Sequence, residues 1–162
     1  MKVLLISPFD GRYSVAVRAR AFRTALSALG HTCTYVEGSG PSPHDIDYET
    51  ITVPQSTSFL SHAWASLCKA WLCLRRDYDL CIIHKVLPTA IPVIWAARLR
   101  NKPVMVDWDD LESEFHTGPV RWLIRLSERI IARYPVQFCT HSSVIESFAR
   151  RLGATAISYR HR

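Results

Sequence analysis

The sequence lacks long apolar segments, and this absence limits the classes of protein that it can encode. No uninterrupted apolar run approaches the roughly 20 residues that a transmembrane helix needs. The basic, apolar start MKVLLI is broken at once by Ser7 and Pro8, so it does not extend into a signal peptide. We therefore expect a cytoplasmic protein.

Several short motifs are also missing. The first loop contains one glycine, Gly11, and has neither the G-x-G-x-x-G fingerprint of dinucleotide binding nor the G-K-[ST] of a P-loop. This absence disfavours a dehydrogenase and the common nucleotide triphosphatases. The five cysteines include no C-x-x-C pair and no metal-ligand spacing, which argues against structural zinc and a disulfide framework. We expect buried free thiols instead.

The sequence is rich in apolar residues and in arginine. Of its 162 residues, 48% are hydrophobic and 21% are charged, which predicts a single compact domain with a sizeable core. The chain carries 20 basic and 14 acidic residues, a formal charge of +6, and only four of the basic residues are lysines. Since arginine presents planar donors suited to phosphate and carboxylate, we expect an anionic partner. Nucleic acid, phosphorylated metabolites and acidic lipid remain alternatives at this point.

Apolar runs alternate with helical patterns along the chain. Continuous runs such as KVLLIS and DLCIIH are typical of strands buried on both faces of a parallel sheet. Strands are predicted over residues 2–7, 32–37, 49–53, 79–84, 104–107, 136–140 and 155–159. Helices are predicted over 14–29, 56–76, 89–100, 119–134 and 142–152. The alternation predicts an α/β fold: a single Rossmann-like, doubly wound parallel sheet of six or seven strands with helices on both faces.

In such a sheet, ligands bind outside the carboxyl ends of the strands. The segment after the first strand contains Gly11 and Arg12. The helix that follows carries Arg18 and Arg20, and its free N–H groups suit a phosphate or a carboxylate. The alternative is a turn glycine with solvated arginines. His84 ends the fourth strand and is either part of the site or held by a backbone carbonyl.

An acidic segment follows the fifth strand and contains Asp107, Asp109 and Asp110 within four residues. Carboxylates so close repel one another, so a compensating partner is expected: nearby arginines, a metal or substrate hydroxyls. A metal needs convergent ligands, which a D-x-D-D at a strand end does not guarantee, and we predict no metal. We favour binding of substrate hydroxyls or general-base catalysis, with solvation of the loop as the alternative. His141 follows the sixth strand and joins the same edge of the sheet.

For two of the predicted helices, the sequence leaves open what their apolar and basic sides contact. In the helix over 119–134, arginines recur every four residues beside an apolar stripe: Arg121, Arg125, Arg129 and Arg133 against Leu123, Leu126, Ile130 and Tyr134. We favour solvated arginines, partly neutralised by Glu128 and the acidic segment, over contact with anionic lipid. In the helix over 56–76, we favour core packing of Trp64 and Trp71 over a surface that faces a membrane or a partner.

Taken in order, several segments resemble one known family. The opening KVLLISPFDGRYSVAVRARAFRTALSALGHTCTYVE has a strand, a glycine loop, an R-x-R at the helix start and L-x-x-x-G-H before the second strand. DYDLCIIHK, NKPVMVDWDD and HSSVIESFARRLGA follow in the family's order. Over most of its length, the sequence therefore resembles the N-terminal, acceptor-binding domain of family-four (group 1) glycosyltransferases of the GT-B fold.

The resemblance implies a function. In this family two Rossmann-like domains face each other across a cleft, and the donor-binding E-x7-E segment of the second domain has no counterpart in residues 1–162. The implied reaction is metal-independent transfer of a hexose from a nucleotide diphosphate sugar to a hydroxyl of a glycan or lipid-linked acceptor, without a cofactor. Either the sequence is half of a split enzyme, with a separate donor-binding domain or subunit as the expected partner, or it is a fragment, and little transfer is expected from this chain alone.

The resemblance also implies roles for residues. Gly11 falls where the glycine loop approaches the donor phosphates, and Arg18 and Arg20 form the R-x-R. His84 matches the histidine that ends the fourth strand, and Asp109 falls where many members have a histidine near the reacting sugar. The catalytic candidates are Asp109 and His84, and the substrate-binding candidates are Gly11, Arg12, Arg18, Arg20, Asp107, Asp110 and His141.

Two other functions compete with this hypothesis. The chain could be a non-catalytic, membrane-associated subunit or scaffold in cell-envelope glycan assembly, docking peripherally at the inner face of the membrane through its Trp-rich and Arg-rich helices. It could also be a nucleic-acid-binding Rossmann domain, which the pI of about 9.3 suggests. Because the sequence contains no recognisable nucleic-acid-binding motif, we predict no nucleic-acid partner.

Overall fold

The computed structural model describes residues 1–9, 14–38, 50–55 and 58–159. Its strands are β1 (Lys2–Ile6), β2 (Thr32–Gly38), β3 (Thr50–Val53), β4 (Leu80–His84), β5 (Val104–Asp107), β6 (Gln137–Thr140) and β7 (Ile157–Tyr159). Its helices are α1 (Ser14–Ala28), α2 (Phe59–Arg75), α3 (Ala90–Leu99), α4 (Gly118–Ala132) and α5 (Ser143–Leu152). A short 3₁₀ helix, Glu112–Phe115, lies in the acidic segment that we predicted as a loop. The Gly-, Pro- and Ser-rich segment 38–48, which the sequence predicts as a surface loop, lies outside the described residues beyond Gly38.

The strands form one parallel sheet in the order β3-β2-β1-β4-β5-β6-β7, which confirms the predicted doubly wound fold with seven strands. The order reverses between β1 and β4. In open sheets of this kind the crevice at the reversal, outside the carboxyl ends of the strands, is where ligands bind. In the β4–β5 register, His84 lies directly opposite Asp107 at that edge.

The two faces of the sheet are covered unequally. Leu4 and Ile6 of β1 belong to a large core shared with α2, α3, α4 and α5. Val3 and Leu5, which alternate with them, belong to a small core that α1 covers with Ala19 and Phe22. Helices therefore lie on both faces, as predicted, and α1 is the one helix of the described residues on its face.

Local signals begin and end the helices where the sequence predicts. Ser58 caps α2 by accepting a hydrogen bond from the Ser61 N–H, and Ser142 caps α5 by accepting one from Ile145. Pro119 occupies the first turn of α4. Gly153 follows α5 with a φ of 107°, a left-handed conformation that glycine adopts without a Cβ clash.

The prediction that Trp64 and Trp71 pack in the core is wrong. Both indoles lie on the exposed side of α2, and the buried side consists mainly of small residues, including Ala65, Ala70 and Cys73. The physical reason is that α2 packs against α3 and the sheet, where small side chains allow a close approach. The bulky residues are left on the outer side.

Helix α4 differs in part from its prediction. Ile124 and Ile131 form its buried side, whereas Leu126 and Ile130 of the predicted apolar stripe are more than one-third exposed. Glu128 is fully buried and accepts a hydrogen bond from the Ser113 backbone instead of lying among the arginines. The predicted neutralisation by the acidic segment is confirmed, because Glu114 pairs with Arg121 at 2.8 Å and with Arg125 at 3.3 Å.

The cysteines also match the prediction from the sequence. All five cysteines are free, and four of them are buried, with Cys68 only partly so. Among the described residues, no helix combines the length and the apolar character that crossing a membrane requires.

Candidate functional site

A buried ionic cluster stands at the carboxyl ends of β4 and β5, on the face that α1 covers. Arg18 of α1 donates from Nε to Asp107 Oδ2 at 2.5 Å and from Nη2 to Asp107 Oδ1 at 2.7 Å. His84 Nδ1 lies 3.0 Å from the same Oδ2. A carboxylate only accepts hydrogen bonds, so His84 carries its proton on Nδ1. The cluster joins α1 to two neighbouring strand ends.

Electrostatics keep Asp107 ionised in this cluster. Burial works against its negative charge, but the hydrogen bonds from His84 and Arg18 outweigh it and hold the pKa of Asp107 below the ordinary 3.8. The hydrogen bond to Asp107 raises the pKa of Arg18 in turn. The charge of Arg18 is therefore largely committed to Asp107, which leaves little of it for a ligand phosphate.

His84 is fully buried, with its ring edge against Phe22 at a centroid distance of 5.3 Å. Its Nε2 has no hydrogen-bond partner among the described residues. The alternative of a backbone carbonyl partner is wrong, because the partner of its Nδ1 is the Asp107 carboxylate, and a role of His84 in the site stays a prediction. The residues just before α1, including Gly11 and Arg12, lie outside the described residues.

Two other predicted site residues, His141 and Arg20, differ in their position relative to this cluster. His141, after β6, accepts a long hydrogen bond at 3.5 Å from Arg18 Nη1 to its Nδ1, so it belongs to the cluster. Arg20 lies two residues beyond Arg18 on α1 and so points to another side of the helix. The positive charge of Arg20 acts on Tyr35 of β2. The structure therefore separates the two arginines of the R-x-R.

A second cluster surrounds Lys85, which the sequence analysis did not single out. Its ammonium pairs with Glu112 and Asp110, at 3.2 Å for Asp110, and lies 3.8 Å from Asp109 Oδ1. Burial opposes the charge, but the hydrogen bond to Glu112 and the nearby carboxylates raise the pKa of Lys85. Lys85 also adopts a left-handed φ of 69°, uncommon for a residue with a side chain. The sequence signal that could have identified Lys85 is its position directly after the buried strand β4.

Asp109 is an incompletely hydrogen-bonded carboxylate at this edge. Its Oδ1 is buried and has no hydrogen-bond partner among the described residues. Burial raises its pKa above 3.8, although Lys85 acts in the opposite direction. Trp108 holds the segment in place, because its buried ring packs on Phe138 and its Nε1 donates to the Asp110 carbonyl at 3.0 Å. A fixed carboxylate with a raised pKa is suited to accept a proton.

The compensation that the acidic segment requires comes from the protein itself. Arg18 pairs with Asp107, Lys85 lies among Asp109, Asp110 and Glu112, and Glu114 pairs with arginines of α4. Carboxylate oxygens of Asp109, Asp110 and Glu112 lie within 4.8 Å of one another, close enough to bind a cation together. The Lys85 ammonium already provides positive charge among them.

Lys69, also missed from the sequence, fixes the chain where it leaves β1. This α2 residue is 3% exposed and donates to the carbonyls of Ser7 at 2.8 Å and Pro8 at 3.2 Å. Gln55 also donates to the Pro8 carbonyl, at 3.0 Å. Burial lowers the pKa of Lys69 to about 8, against the opposing effect of Glu37. The sequence offered only a lone lysine in an apolar helix.

An apolar groove of about 280 Å³ opens beside this edge of the sheet. Phe59 and Leu67 of α2, Pro88 and Pro92 at the start of α3, and Leu123 of α4 line it. His62 and Thr89 add polar atoms to its wall. The groove and the two ionic clusters thus lie at the same edge of the sheet.

Comparison with solved structures identifies the fold. A protein from Listeria monocytogenes provisionally assigned as a UDP-N-acetylglucosamine 2-epimerase superimposes with a TM-score of 0.72 at 13% identity, over 96% of this chain and 43% of its own. The UDP-GlcNAc 2-epimerase of Methanocaldococcus jannaschii gives 0.69 at 12% identity, over 98% and 45%. An alpha-glucosyltransferase solved with UDP and a 13-mer DNA containing an HMU base gives 0.54 at 17% identity, over 98% and 41%. The chain spans less than half the length of each.

Comparison with sequences identifies the family. No curated protein sequence gives a match to this chain. The family described as the glycosyl transferase 4-like domain matches residues 14–160, nearly the whole sequence. The chain therefore belongs to the glycosyl transferase 4-like domain family and has the fold of the N-terminal domain of a GT-B glycosyltransferase.

Proposed function

We propose that this chain is the acceptor-binding half of a glycosyltransferase that uses a nucleotide diphosphate sugar as donor. A separate donor-binding domain or subunit completes the enzyme. The single observation that carries the proposal is Asp109, a carboxylate with a partly exposed side chain whose Oδ1 has no hydrogen-bond partner among the described residues, in a glycosyltransferase-type domain. It lies at the edge of the sheet where parallel folds bind ligands.

In the proposed reaction, Asp109 takes the proton of the acceptor hydroxyl. The hydroxyl oxygen forms a bond to the anomeric carbon of the sugar, and the bond from that carbon to the diphosphate breaks. The nucleoside diphosphate leaves, and the donor-binding partner supplies the groups that neutralise it. The raised pKa of Asp109 makes it a better base than an exposed aspartate. The proposal calls for no metal and no cofactor.

The other candidate residues take supporting roles in this proposal. Because His84 is fully buried, it acts by orienting Asp107 and Arg18 instead of touching the substrate. Arg18 and His141 then form one wall of the acceptor site, and Asp110 is half exposed beside Asp109. Gly11 and Arg12 remain proposed contacts to the donor phosphates, and Arg20 is less favoured because it faces β2.

The groove beside the edge favours one class of acceptor. Its lining is almost entirely apolar, so it suits a hydrocarbon chain better than a free sugar. A lipid-linked acceptor could place its hydroxyl near Asp109 and its apolar part in the groove. We therefore propose a lipid-linked acceptor ahead of a free glycan.

The test is a reconstitution assay. The chain is mixed with candidate donor-binding partners and a nucleotide diphosphate sugar, and transfer to a lipid-linked acceptor is measured. We expect transfer only in the mixture, and its loss with Asp109→Asn. Asp110→Asn is the matched control, because it removes one carboxylate from the same cluster at a half-exposed position. Robust transfer by this chain alone, or full activity of Asp109→Asn, would contradict the proposal.

A non-catalytic, membrane-associated scaffold is the second candidate function. The observation that favours it is the exposed aromatic and basic side of α2 and α4, which no catalytic role requires. In that case the reconstituted mixture would show the same transfer rate with and without Asp109→Asn.

A further inference from the structure

Four of the five tryptophans are exposed on one side of the molecule. Trp64 and Trp71 of α2, Trp95 of α3 and Trp122 of α4 are between 54% and 68% exposed, whereas Trp108 is buried. Helices α2, α3 and α4 all cover the same face of the sheet. We call their outward side the α2–α4 surface. Single exposed apolar residues are ordinary, but a concentration of indoles indicates an interaction surface.

The apolar part of this surface is a continuous stripe along α2. Leu60, Trp64, Leu67, Trp71 and Leu74 are spaced by four and three residues in turn and are all exposed. This spacing places them on one side of the helix over its whole length. The stripe reaches the apolar groove through Leu67, which lines both.

The charge of the surface has one sign. Arg75 stacks on the Trp71 ring at 4.4 Å, and Arg98, Arg129 and Arg133 are exposed on α3, α4 and the residue after α4. The sequences of α2, α3 and α4 contain one carboxylate, Glu128, and it is fully buried. Glu114 of the adjacent 3₁₀ helix pairs with Arg121 and Arg125 in the first half of α4. Arg129 and Arg133 have no carboxylate partner among the described residues.

We propose that the α2–α4 surface binds peripherally to an anionic lipid membrane. Tryptophan is enriched at the water–membrane interface, and arginine is attracted to anionic headgroups while its stem covers apolar surface. A helix with an apolar stripe and flanking arginines lies in the plane of such an interface. This binding does not depend on the proposed transfer reaction.

The same charges disfavour the other occupants. A second copy seated on this surface would bring arginines of both copies together without carboxylates to offset them. A neutral apolar partner would bury the guanidinium groups unpaired. An anionic lipid surface satisfies the arginines and the indoles at once.

Flotation of the purified chain with lipid vesicles tests the proposal. Vesicles of phosphatidylglycerol and phosphatidylcholine in equal parts are compared with vesicles of phosphatidylcholine alone. We expect the chain to float with the anionic vesicles, to be released by high salt, and to float weakly with the neutral ones. Failure of the wild-type chain to float with anionic vesicles overturns the proposal.

Matched variants assign the binding to the surface. Trp64→Ser with Trp71→Ser is expected to weaken flotation at least tenfold, whereas Val17→Ser with Leu29→Ser, exposed apolar residues of α1 and of the turn after it, should leave it unchanged. Equal loss in both pairs, or no loss in the tryptophan pair, contradicts the proposal. Thermal unfolding of each variant confirms that it is folded.

A charge pair gives an independent test. Arg129→Glu with Arg133→Glu is expected to lower binding to anionic vesicles at least tenfold, and Arg150→Glu with Arg151→Glu, the same charge change on α5, much less. Sedimentation tests whether a second copy of the chain occupies the α2–α4 surface instead. A dimer that Trp64→Ser abolishes would overturn the membrane assignment. Flotation needs no donor sugar. A failed transfer assay would therefore not change the conclusion about membrane binding.

Discussion

The two ionic clusters at neighbouring strand ends differ in how completely their charges are paired. Arg18 bonds both oxygens of Asp107, and His84 bonds one of them as well. Around Lys85, three carboxylates share one ammonium, and Asp109 keeps a buried oxygen without a hydrogen-bond partner among the described residues. The first cluster holds α1 to the sheet, and the second can still accept a proton. A place at the edge of the sheet therefore does not by itself make a residue catalytic.

The largest expected effect is on kcat, which should depend strongly on Asp109 in the second cluster and weakly on His84 in the first. In the reconstituted enzyme, Asp109→Asn is expected to lower kcat by about 10²- to 10⁴-fold, the usual contribution of a general base, with little change in KM. His84→Gln, which acts only through Asp107 and Arg18, should lower kcat by about tenfold or less. Steady-state kinetics of the two variants measure this. A larger kcat loss for His84→Gln would reverse the roles of the two clusters.

The free energy of unfolding should show the opposite order, with the larger loss in the first cluster. Asp107→Asn leaves the Arg18 guanidinium and His84 without their carboxylate, and breaking a buried pair in this way costs about 3 to 5 kcal/mol. Asp109→Asn should change the free energy of unfolding by less than about 1 kcal/mol, because it removes a charge that burial already disfavours. Urea denaturation at neutral pH measures both. Similar losses of unfolding free energy for the two variants would contradict the conclusion that only Asp107 belongs to a fully paired cluster.

Lys85→Met sharpens the comparison within the second cluster. Without the ammonium, Asp109, Asp110 and Glu112 repel one another, and we expect a loss of about 1 to 3 kcal/mol in the free energy of unfolding. The loss should shrink in acid, where the carboxylates are protonated. Chemical denaturation at neutral and acidic pH tests this. A loss that is independent of pH would mean that Lys85 acts through packing or through its left-handed backbone.

The smallest expected effect is in the pH dependence of stability. The pKa of Asp107 lies below 3.8, so its stabilisation is complete above 3.8 and is lost as the pH falls through the lower folded-state pKa. The pKa of Asp109 lies above 3.8, so it makes folding less favourable as the pH rises from 3.8 through its folded-state pKa. Asp107→Asn and Asp109→Asn should therefore change the slope in opposite directions, and each change amounts to on the order of 1 kcal/mol in the free energy of unfolding across its titration window.

Denaturation of both variants over a pH series measures these slopes. The wild-type chain at the same pH values is the reference, and His84→Gln is the control for indirect effects on Asp107. Slopes that change in the same direction would show that the two aspartates do not occupy electrostatically different sites.

The strands and helices could be predicted closely from the sequence, because their signals are local. A buried parallel strand is a continuous apolar run, and serine, proline and glycine mark helix ends through their own backbone and hydrogen-bonding preferences. The orientation of α2 could not be predicted, since its pattern has a bulky and a small apolar side. Which of them faces inward depends on how closely α3 approaches.

The sequence by itself determined the order of elements, the parallel sheet and the edge where candidate residues collect, because periodicity and turn residues act over a few positions. Only the tertiary structure decided which charges are paired. Arg18 meets Asp107 across 89 positions, and Lys69 reaches the Ser7 carbonyl across 62. Such contacts depend on where crossovers bring distant segments, so no local pattern distinguishes Asp107 from Asp109 or gives Lys85 its place among the carboxylates.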